Sequence, residues 1–353
     1  GAMATFAWIL AALGTFWMVS STVPPLIIDT DMNVDDMAAL AFLLLHHSNI
    51  LAITVSAVGF SAQWSGVDNA LRLLQYYNRS EIPVAFQDGY FGQTQLNLQH
   101  PSGLPPQEWL QGTNVYFTEH VPLAASPHPP AWQSASQLIV EVLQASKDAV
   151  HFLELGPYTN LAAALHRDST VTRTKIRRVY AEGGRLHVPE GVKALRGNRA
   201  FPWTTETKPQ RASWNVFLDA IAAAQVYSAG FPTTLFADNA CDVLQVHSSD
   251  FQPTSSCGHG MLGKIMSQWA KAHQVDWSSL RYWDQATVVL LMDLLSDKSP
   301  TICERWLQAN LTVSLQNNNS YATFVQGHFG AATDACVVSS RERFLQTFYA
   351  TNC

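Results

Sequence analysis

The sequence lacks any long basic tract. Lysine and arginine number 21 against 27 aspartates and glutamates, and the formal net charge is −6. Proteins bind nucleic acids largely through lysine and arginine contacts to phosphates, so this composition argues against a nucleic-acid partner and favours a small molecule. Only 14% of residues are charged and 47% are hydrophobic, which indicates a well-buried globular enzyme rather than a disordered chain.

Cysteine and histidine do not occur in patterns that bind zinc or carry redox chemistry. The five cysteines all lie in the last third of the chain without a Cys-x-x-Cys pair, and the histidines, including His46, His47 and His151, show no ligand spacing. An odd number of cysteines leaves at least one thiol unpaired within the chain, and the sequence does not assign the one or two disulfides that a secreted protein would allow. No cysteine follows a strand at a strand-to-helix turn, so a thiol nucleophile is not expected.

No internal repeat or low-complexity linker divides the chain, which predicts one catalytic domain over residues 24–353. Residues 1–23 precede it and consist of Gly1–Met3, which is typical of a cloning scar, and an uncharged apolar segment. Such a segment is typical of a secretory signal or a short membrane anchor, although no lysine or arginine precedes it. Apart from such an anchor, no membrane partner is expected.

Localisation is predicted from the same segment. It favours a secreted or extracellular protein, as do the Asn-x-Ser/Thr sequons at Asn78, Asn310 and Asn318. The alternative is a cytoplasmic enzyme whose N-terminal segment packs on the domain.

Short apolar runs alternate with stretches of helical periodicity through the first half of the chain. Leu26–Ile28 predicts a strand, and the following Met37–Leu45 predicts a helix. The alternation continues through Leu51–Val58, which predicts a strand, and predicts an α/β fold: an open, mostly parallel, Rossmann-like sheet with flanking helices. Residues 87–133 and 185–212 break the pattern and are predicted to be lids or binding loops.

The densest group of carboxylates follows the first strand. Asp29, Asp31, Asp35 and Asp36 fall within eight residues, at a strand-to-helix turn. Open α/β sheets bind ligands at the carboxyl ends of their strands. One or two aspartates there would serve as helix caps, but four repel one another unless a cation or shared protons compensate. Oxygen ligands suit Ca²⁺ or Mg²⁺ rather than zinc, so the turn predicts a metal or acid–base site.

Further motifs along the chain complete a recognisable constellation. They are Leu155-Gly156-Pro157-Tyr158-Thr159-Asn160-Leu161-Ala162, Arg196-Gly197-Asn198, Ser213-Trp214-Asn215 and Tyr282-Trp283-Asp284. Together with the opening aspartates, they resemble the nucleoside hydrolases in order and spacing, from Pro24 onward. The combination of the aspartate motif with the Gly-Pro-x-Thr-Asn turn is specific to that family.

Within that family the sequence is most similar to the purine-preferring inosine–adenosine–guanosine branch. Asn33 stands inside the aspartate motif, where other branches have a glycine. Trp283 precedes the late aspartate, where the inosine–uridine branch has a histidine. Trp109 lies in a Pro-x-x-Glu-Trp stretch, in the loop where the purine branch carries a stacking tryptophan.

The resemblance implies a calcium-dependent enzyme. Its Ca²⁺ ligands would be Asp31, Asp36, Asp284 and the backbone carbonyl of Leu155, and the ion would acidify a water. Asp31 would accept the proton of that water as general base. The water would attack C1′ of the ribose through an oxocarbenium-like transition state and release base and ribose.

The resemblance also implies which residues hold the nucleoside. Asp35, Asn198, Asn215 and Asp284 match the ribose-binding positions of the family, and Asn33 lies among the substrate-binding residues. Trp109 and Trp283 would stack on the purine and favour its protonation as it leaves. A homodimer or homotetramer is the assembly that the family implies.

Two positions depart from the family pattern. Ser213 stands where an acidic residue usually precedes the ribose-binding asparagine by two positions, so a sugar contact on the 5′ side is lost or supplied elsewhere, for example by Glu206. Phe60 follows Gly59 where the family often has asparagine or aspartate. These departures leave open a different sugar, a different base or reduced activity.

Two other functions compete with the hydrolase. A nucleoside-binding protein that has lost turnover would keep the same pocket. A phosphatase of the haloacid dehalogenase type also begins with Asp-x-Asp after a strand and uses Mg²⁺, but it leaves Asp35, Asp36 and the late Trp-Asp pair unexplained.

Overall fold

Strands from both halves of the chain assemble into one nine-stranded sheet, counted over the residues that the structure describes. In this computed structural model those residues are 23–59, 64–87, 113–187, 214–251, 260–272, 280–316 and 322–350. The strands are β1 (Leu26–Thr30), β2 (Ile50–Val55), β3 (Val84–Phe86), β4 (Val150–Glu154), β5 (Ile176–Glu182), β6 (Thr233–Phe236), β7 (Cys303–Val313), β8 (Phe324–Gly327) and β9 (Ala331–Ser339).

The order of the strands creates a crevice near the middle of the sheet. The order is β3-β2-β1-β4-β5-β6-β9-β7-β8, and neighbouring strands from β3 to β9 run parallel. From β1 the chain moves one way to β2 and β3, then crosses to β4 and continues the other way. The connections after β1 and β4 therefore diverge at their carboxyl ends, which is where open α/β sheets bind ligands.

The far edge of the sheet is built differently. There β7 runs antiparallel between β9 and β8, and a disulfide joins Cys303 on β7 to Cys336 on β9. Cys241 is a buried free thiol. The structure thus assigns one pairing that the sequence left open, while Cys257 and Cys353 lie outside the described residues.

Helices cover both faces of the sheet. They are α1 (Val34–His46), α2 (Ser65–Tyr76), α3 (Ala135–Ala145), α4 (Thr159–Arg167), α5 (Ser169–Lys175), α6 (Trp214–Leu218), α7 (Ala220–Ala229), α8 (Asp238–Cys241), α9 (Met261–Ala272), α10 (Asp284–Leu295) and α11 (Arg341–Ala350), with a π turn at Tyr116–His120 and a 3₁₀ turn at Ser248–Phe251. One hydrophobic core lies under α1, α2, α9, α10 and α11, and the other lies under α3, α4 and α7. Within the described residues, no helix is both long and apolar enough to cross a membrane.

The burial of β1 on both faces explains its unbroken apolar run. Leu26 and Ile28 belong to one core and Ile27 to the other, as alternation along a strand requires. The predicted α/β fold with a mostly parallel sheet is confirmed. The predicted strand Leu51–Val58 is shorter at its end, because β2 stops at Val55 and the chain turns toward Gly59.

Candidate active site

The turn between β1 and α1 fixes the first carboxylate of the site. Met32 takes a left-handed conformation with φ 54°, which reverses the chain direction before α1 begins. Its N–H donates a hydrogen bond to Thr30 Oγ1 at 2.9 Å, and the Asn33 N–H donates to Asp31 Oδ1 at 3.1 Å. Side chains of the turn therefore satisfy the amides that precede the helix, and Asp31 is held at its entrance.

Asp35 and Asp36 lie in the first turn of α1 and are both buried. The positive end of the helix dipole stabilises carboxylates at such positions. The Thr30 hydroxyl donates a short hydrogen bond to Asp36 Oδ1, and the Asp31 N–H donates to the same oxygen at 3.3 Å. Asp36 is thereby tied to both sides of the turn.

Asp284 brings a carboxylate from the other half of the chain, as the first residue of α10. One oxygen each of Asp35, Asp36 and Asp284 lie within 4.8 Å of one another, and all three residues are buried. The Asp36 carboxyl group also lies within hydrogen-bonding reach of both Asp31 and Asp284. The structure thus brings together four carboxylates that the sequence placed in one site.

The electrostatics of these four groups favour a bound cation. Burial, followed by the charge of Asp36, raises the pKa of Asp35 to about 8, and the same causes raise the pKa values of Asp31 and Asp284 well above the usual range. Among the described residues no lysine or arginine forms an ion pair with Asp35, Asp36 or Asp284. No donor within the described part of the chain reaches Asp35 Oδ1. A buried donor set made of carboxylate oxygens fits a hard divalent ion such as Ca²⁺.

Two glycines let neighbouring loops approach Asp31 closely. Gly59, after β2, has φ 125°, and a Cβ there would lie 2.1 Å from Asp31 Oδ2. Gly156, after β4, packs so tightly that a Cβ would lie 2.9 Å from the Asp31 nitrogen. Larger residues at either position would displace the Asp31 side chain or backbone, which gives the glycine of the Gly-Pro motif a physical role.

An asparagine links the ends of β4 and β5. Asn215 lies in the short helix α6, and its Nδ2 donates to the Leu155 carbonyl at 2.8 Å and to Glu182 Oε2 at 3.3 Å. Both hydrogens of the amide nitrogen are therefore used within the protein, and Oδ1 is the polar atom of this side chain that neither bond involves. The predicted metal-binding carbonyl and the predicted ribose-binding asparagine are thus in direct contact.

Buried polar groups next to the turn between β1 and α1 hold Asp29 in place. Asn160 Nδ2 donates to Asp29 Oδ1 at 2.7 Å, and the Thr54 hydroxyl donates a short hydrogen bond to the same oxygen. Burial raises the pKa of Asp29 to about 7. Asp29 is fully buried beneath the turn. Asp219 caps α7 and accepts a hydrogen bond from the Thr159 hydroxyl at 2.7 Å.

The remaining predicted residues differ in what the structure shows of them. Asn33 is half-buried at the N-cap of α1, and Trp283 is half-buried directly before Asp284, against the core. Trp109 and Asn198 lie outside the described residues, as do the departures at Phe60 and Ser213. The assignments of Asn33, Trp109, Asn198 and Trp283 to substrate therefore stay predictions.

Two buried glutamates were missed at the sequence level. Glu154 ends β4 close to the Asp29 carboxyl group, and Glu182 ends β5 beside Asn215. Burial, followed by the charge of Asp29, raises the pKa of Glu154 well above its usual range. Each follows an apolar strand, as Asp29 does, and that shared position is the signal that could have identified them.

Comparison with known proteins adds independent information. The family described as "Inosine-uridine preferring nucleoside hydrolase" matches residues 26–345. The pyrimidine-specific ribonucleoside hydrolase RihA of Enterobacter sp. (strain 638) is 26% identical over 292 residues, which cover 80% of this chain and 82% of the relative.

Solved structures agree with the fold. An inosine-uridine preferring nucleoside hydrolase from Bacillus anthracis superposes with a TM-score of 0.72 at 15% identity, over 93% of this chain and 99% of the other. A purine-preferring ribonucleoside hydrolase from Gardnerella vaginalis superposes with a TM-score of 0.68 at 18% identity, over 93% of this chain and 97% of the other.

The family match covers most of the chain and includes every element that contributes to the carboxylate cluster. The predicted enzyme class is thereby confirmed: this chain belongs to the nucleoside hydrolase family.

Proposed function

We propose that this enzyme hydrolyses the N-glycosidic bond of ribonucleosides in a calcium-dependent reaction and releases free base and ribose. The observation that carries the proposal is the buried cluster of Asp35, Asp36 and Asp284, which has no cationic side chain as partner among the described residues. The cluster lies where the strand order reverses, at the crevice in which an open α/β sheet binds its ligand.

The residues that would hold calcium are Asp31, Asp36, Asp284 and the Leu155 carbonyl, with Asp35 close enough to share the site. A bound calcium ion supplies positive charge that holds these carboxylates deprotonated and acidifies a neighbouring water. Asn215 orients the Leu155 carbonyl through its hydrogen bond of 2.8 Å.

Asp31 is positioned to act as the general base. Its Oδ1 accepts a hydrogen bond from the Asn33 N–H, and its Oδ2 lies close to Gly59, whose lack of a Cβ leaves room for it. It accepts a proton from the attacking water, which adds to C1′ as the bond from C1′ to the base nitrogen breaks. Asp35, Asn198, Asn215 and Asp284 hold the ribose hydroxyls while positive charge develops on the sugar ring.

The base is proposed to be a purine. Trp283 supports this choice because it directly precedes Asp284 and is only half-buried, so part of the indole remains available beside the sugar site. With Trp109 it would stack on the purine and stabilise the protonated leaving group. A pyrimidine is the second candidate, favoured by the similarity to the pyrimidine-specific enzyme of Enterobacter.

The test is a time course of base and ribose release from inosine, adenosine, guanosine, uridine and cytidine. Each reaction is run with Ca²⁺ and again after chelation. Calcium-dependent release from the purine nucleosides is expected. Release from uridine and cytidine alone would contradict the purine preference but keep the hydrolase.

Two further outcomes would contradict the hydrolase itself. Nucleoside binding without release of base would identify a binding protein that has lost turnover. Phosphate release from p-nitrophenyl phosphate, with no hydrolysis of nucleosides, would identify a phosphatase.

The stacking role of Trp283 has its own test. Trp283→Ala is expected to lower kcat/KM for inosine much more than for p-nitrophenyl riboside, whose leaving group needs no protonation. Trp306→Ala is the matched control, since Trp306 lies on β7 at the far edge of the sheet and is 37% exposed. Equal losses on both substrates in the Trp283 variant would contradict stacking.

A further inference from the structure

Glu182 is a buried carboxylate that the proposed mechanism does not use. It ends β5, one residue beyond the paired Glu154 and Ala181, and is only 7% exposed. It therefore lies on the same edge of the sheet as Asp31 and Leu155. Burial of a carboxylate at this depth costs free energy, which hydrogen bonds such as that from Asn215 Nδ2 offset.

The contacts of Glu182 place it at the sugar side of the site. Asn215 Nδ2 donates to Glu182 Oε2 at 3.3 Å and to the Leu155 carbonyl at 2.8 Å, so one amide group connects all three residues. The charge of Glu182 also contributes to the raised pKa of Asp284. Glu182 thus lies within electrostatic range of the carboxylate cluster without belonging to it.

The position of β5 in the sheet indicates which part of a nucleoside Glu182 meets. In the sheet, β4 separates β5 from β1, so the ends of β5 and β1 are two strand spacings apart, roughly 10 Å. A ribose whose 2′ and 3′ hydroxyls face the carboxylates extends its 5′ hydroxyl away from them. The 5′ side is also where Ser213 replaces an expected acidic residue.

We propose that Glu182 accepts a hydrogen bond from the 5′ hydroxyl of the nucleoside and selects substrates that carry it. The proposal rests on the hydrolase function proposed above. A carboxylate accepts a hydroxyl proton more strongly than a neutral group does, and the low exposure of Glu182 strengthens the bond further. Glu182 therefore supplies from β5 the sugar contact that Ser213 does not provide.

The experiment compares inosine with 5′-deoxyinosine in the wild-type enzyme and in Glu182→Gln. Loss of the 5′ hydroxyl is expected to lower kcat/KM of the wild type by about 10- to 100-fold, the range for a hydrogen bond to a charged group. In Glu182→Gln, kcat/KM for inosine falls by a similar factor, whereas the value for 5′-deoxyinosine changes little. Glu182→Asp, which keeps the charge, is expected to retain part of the discrimination.

Glu154→Gln is the matched control. Glu154 ends the neighbouring strand and is also buried, but it faces Asp29 rather than Asn215. Its variant is expected to keep the wild-type ratio between the two substrates, whatever its absolute rate. The 2′- and 3′-deoxy analogues report on the other hydroxyls, and Glu182→Gln is expected to leave their relative rates unchanged.

Three results would overturn the role of Glu182. They are a wild type indifferent to the 5′ hydroxyl, a Glu182→Gln variant that loses equally on both substrates, and a loss of discrimination in Glu154→Gln. An equal loss would mean that Glu182 only positions Asn215.

Failure of the hydrolase proposal is distinguishable. If the wild type binds inosine without cleaving it, the ratio of dissociation constants for inosine and 5′-deoxyinosine decides the role of Glu182 by itself. If it neither cleaves nor binds inosine, both proposals fall.

Discussion

Two buried aspartates on the helix α10 differ in whether they have a basic partner. Asp284 begins α10 and Asp293 lies near its end, and they are 3% and 2% exposed. Asp293 pairs with Lys298 Nζ at 3.1 Å and accepts the Ile302 N–H at 2.9 Å. Asp284 instead lies beside Asp35 and Asp36, with no lysine or arginine partner among the described residues.

The same difference in ion pairing separates two regions of the sheet. Near the end of α10, a cavity lined by Leu294 and Trp306 contains the ion pair between Arg178 and Asp334 at 2.9 Å. At the carboxyl ends of the central strands, Asp35, Asp36 and Asp284 form no ion pair with a lysine or arginine among the residues that the structure describes. Asp293 and Asp334 thus have basic partners, whereas Asp35, Asp36 and Asp284 have none among the described residues, which agrees with the cation site proposed for them.

The largest effect is expected from a substitution in the carboxylate cluster. Asp31→Asn keeps the size of the side chain but removes its charge and its ability to accept a proton. We expect kcat/KM for the preferred nucleoside to fall by roughly 10³- to 10⁴-fold, the upper part of the range typical of a lost general base. Steady-state kinetics at saturating Ca²⁺ measure it.

The matched control is Asp334→Asn at the paired end of the sheet. It changes the same side chain in the same way, in a partly exposed ion pair far from β1. We expect unchanged kinetics. Near-normal turnover in Asp31→Asn, or a comparable loss in Asp334→Asn, would refute the assignment of the site.

The stabilisation of the fold by Ca²⁺ should distinguish the two ends of α10. Ligand at 100 times its dissociation constant stabilises the folded state by about 2.7 kcal/mol. We therefore expect Ca²⁺ to raise the melting temperature of the wild type and of Asp293→Asn, but not of Asp284→Asn. A calcium shift retained in Asp284→Asn would show that the ion binds elsewhere.

How much of the candidate site could be predicted from the sequence depends on where each residue lies along the chain. The cluster of Asp31, Asp35 and Asp36 is local, so its position after an apolar strand predicted both the turn and the site. Asp284 is some 250 residues away along the chain and was placed by family resemblance, since an apolar helix alone does not say what its first residue meets.

Two features escaped the sequence for physical reasons. Glu182 follows a strand like Asp29, but a single carboxylate carries no pattern, and its significance comes from Asn215, a residue on another element. The disulfide between Cys303 and Cys336 depends on β7 pairing with β9, and five cysteines allow many pairings before that register is known.

The pH dependence of stability follows from the raised pKa values. Folding raises the pKa of Asp29 from 3.8 to about 7 and that of Asp35 from 3.8 to about 8, chiefly through burial. Groups whose pKa rises on folding contribute stability that is complete below about pH 4 and is lost as the pH rises toward 8.

Calcium-free enzyme should therefore lose unfolding free energy across that window, by roughly 1 kcal/mol per pH unit where one extra proton is bound. Chemical denaturation between pH 5 and 8 would measure this slope. Saturating Ca²⁺ should flatten it, because the ion holds the cluster deprotonated. Stability of the calcium-free enzyme that rises with pH would contradict the assigned sign.

The smallest expected effect is a change in unfolding free energy that has opposite signs for the two aspartates of α10. It therefore tests the comparison between them most directly. In calcium-free enzyme at pH 7, Asp284→Asn removes a carboxyl group that folding keeps protonated or repelled, so unfolding free energy should rise by roughly 0.5–2 kcal/mol. Asp293→Asn removes a paired charge and weakens the hydrogen bond from the Ile302 N–H. The unfolding free energy of this variant should therefore fall by about 1 kcal/mol. Denaturant titrations of both variants measure the two changes. Losses in both would mean that Asp284 stabilises the fold by itself, and the carboxylate cluster would then lose its interpretation as a site held ready for a cation.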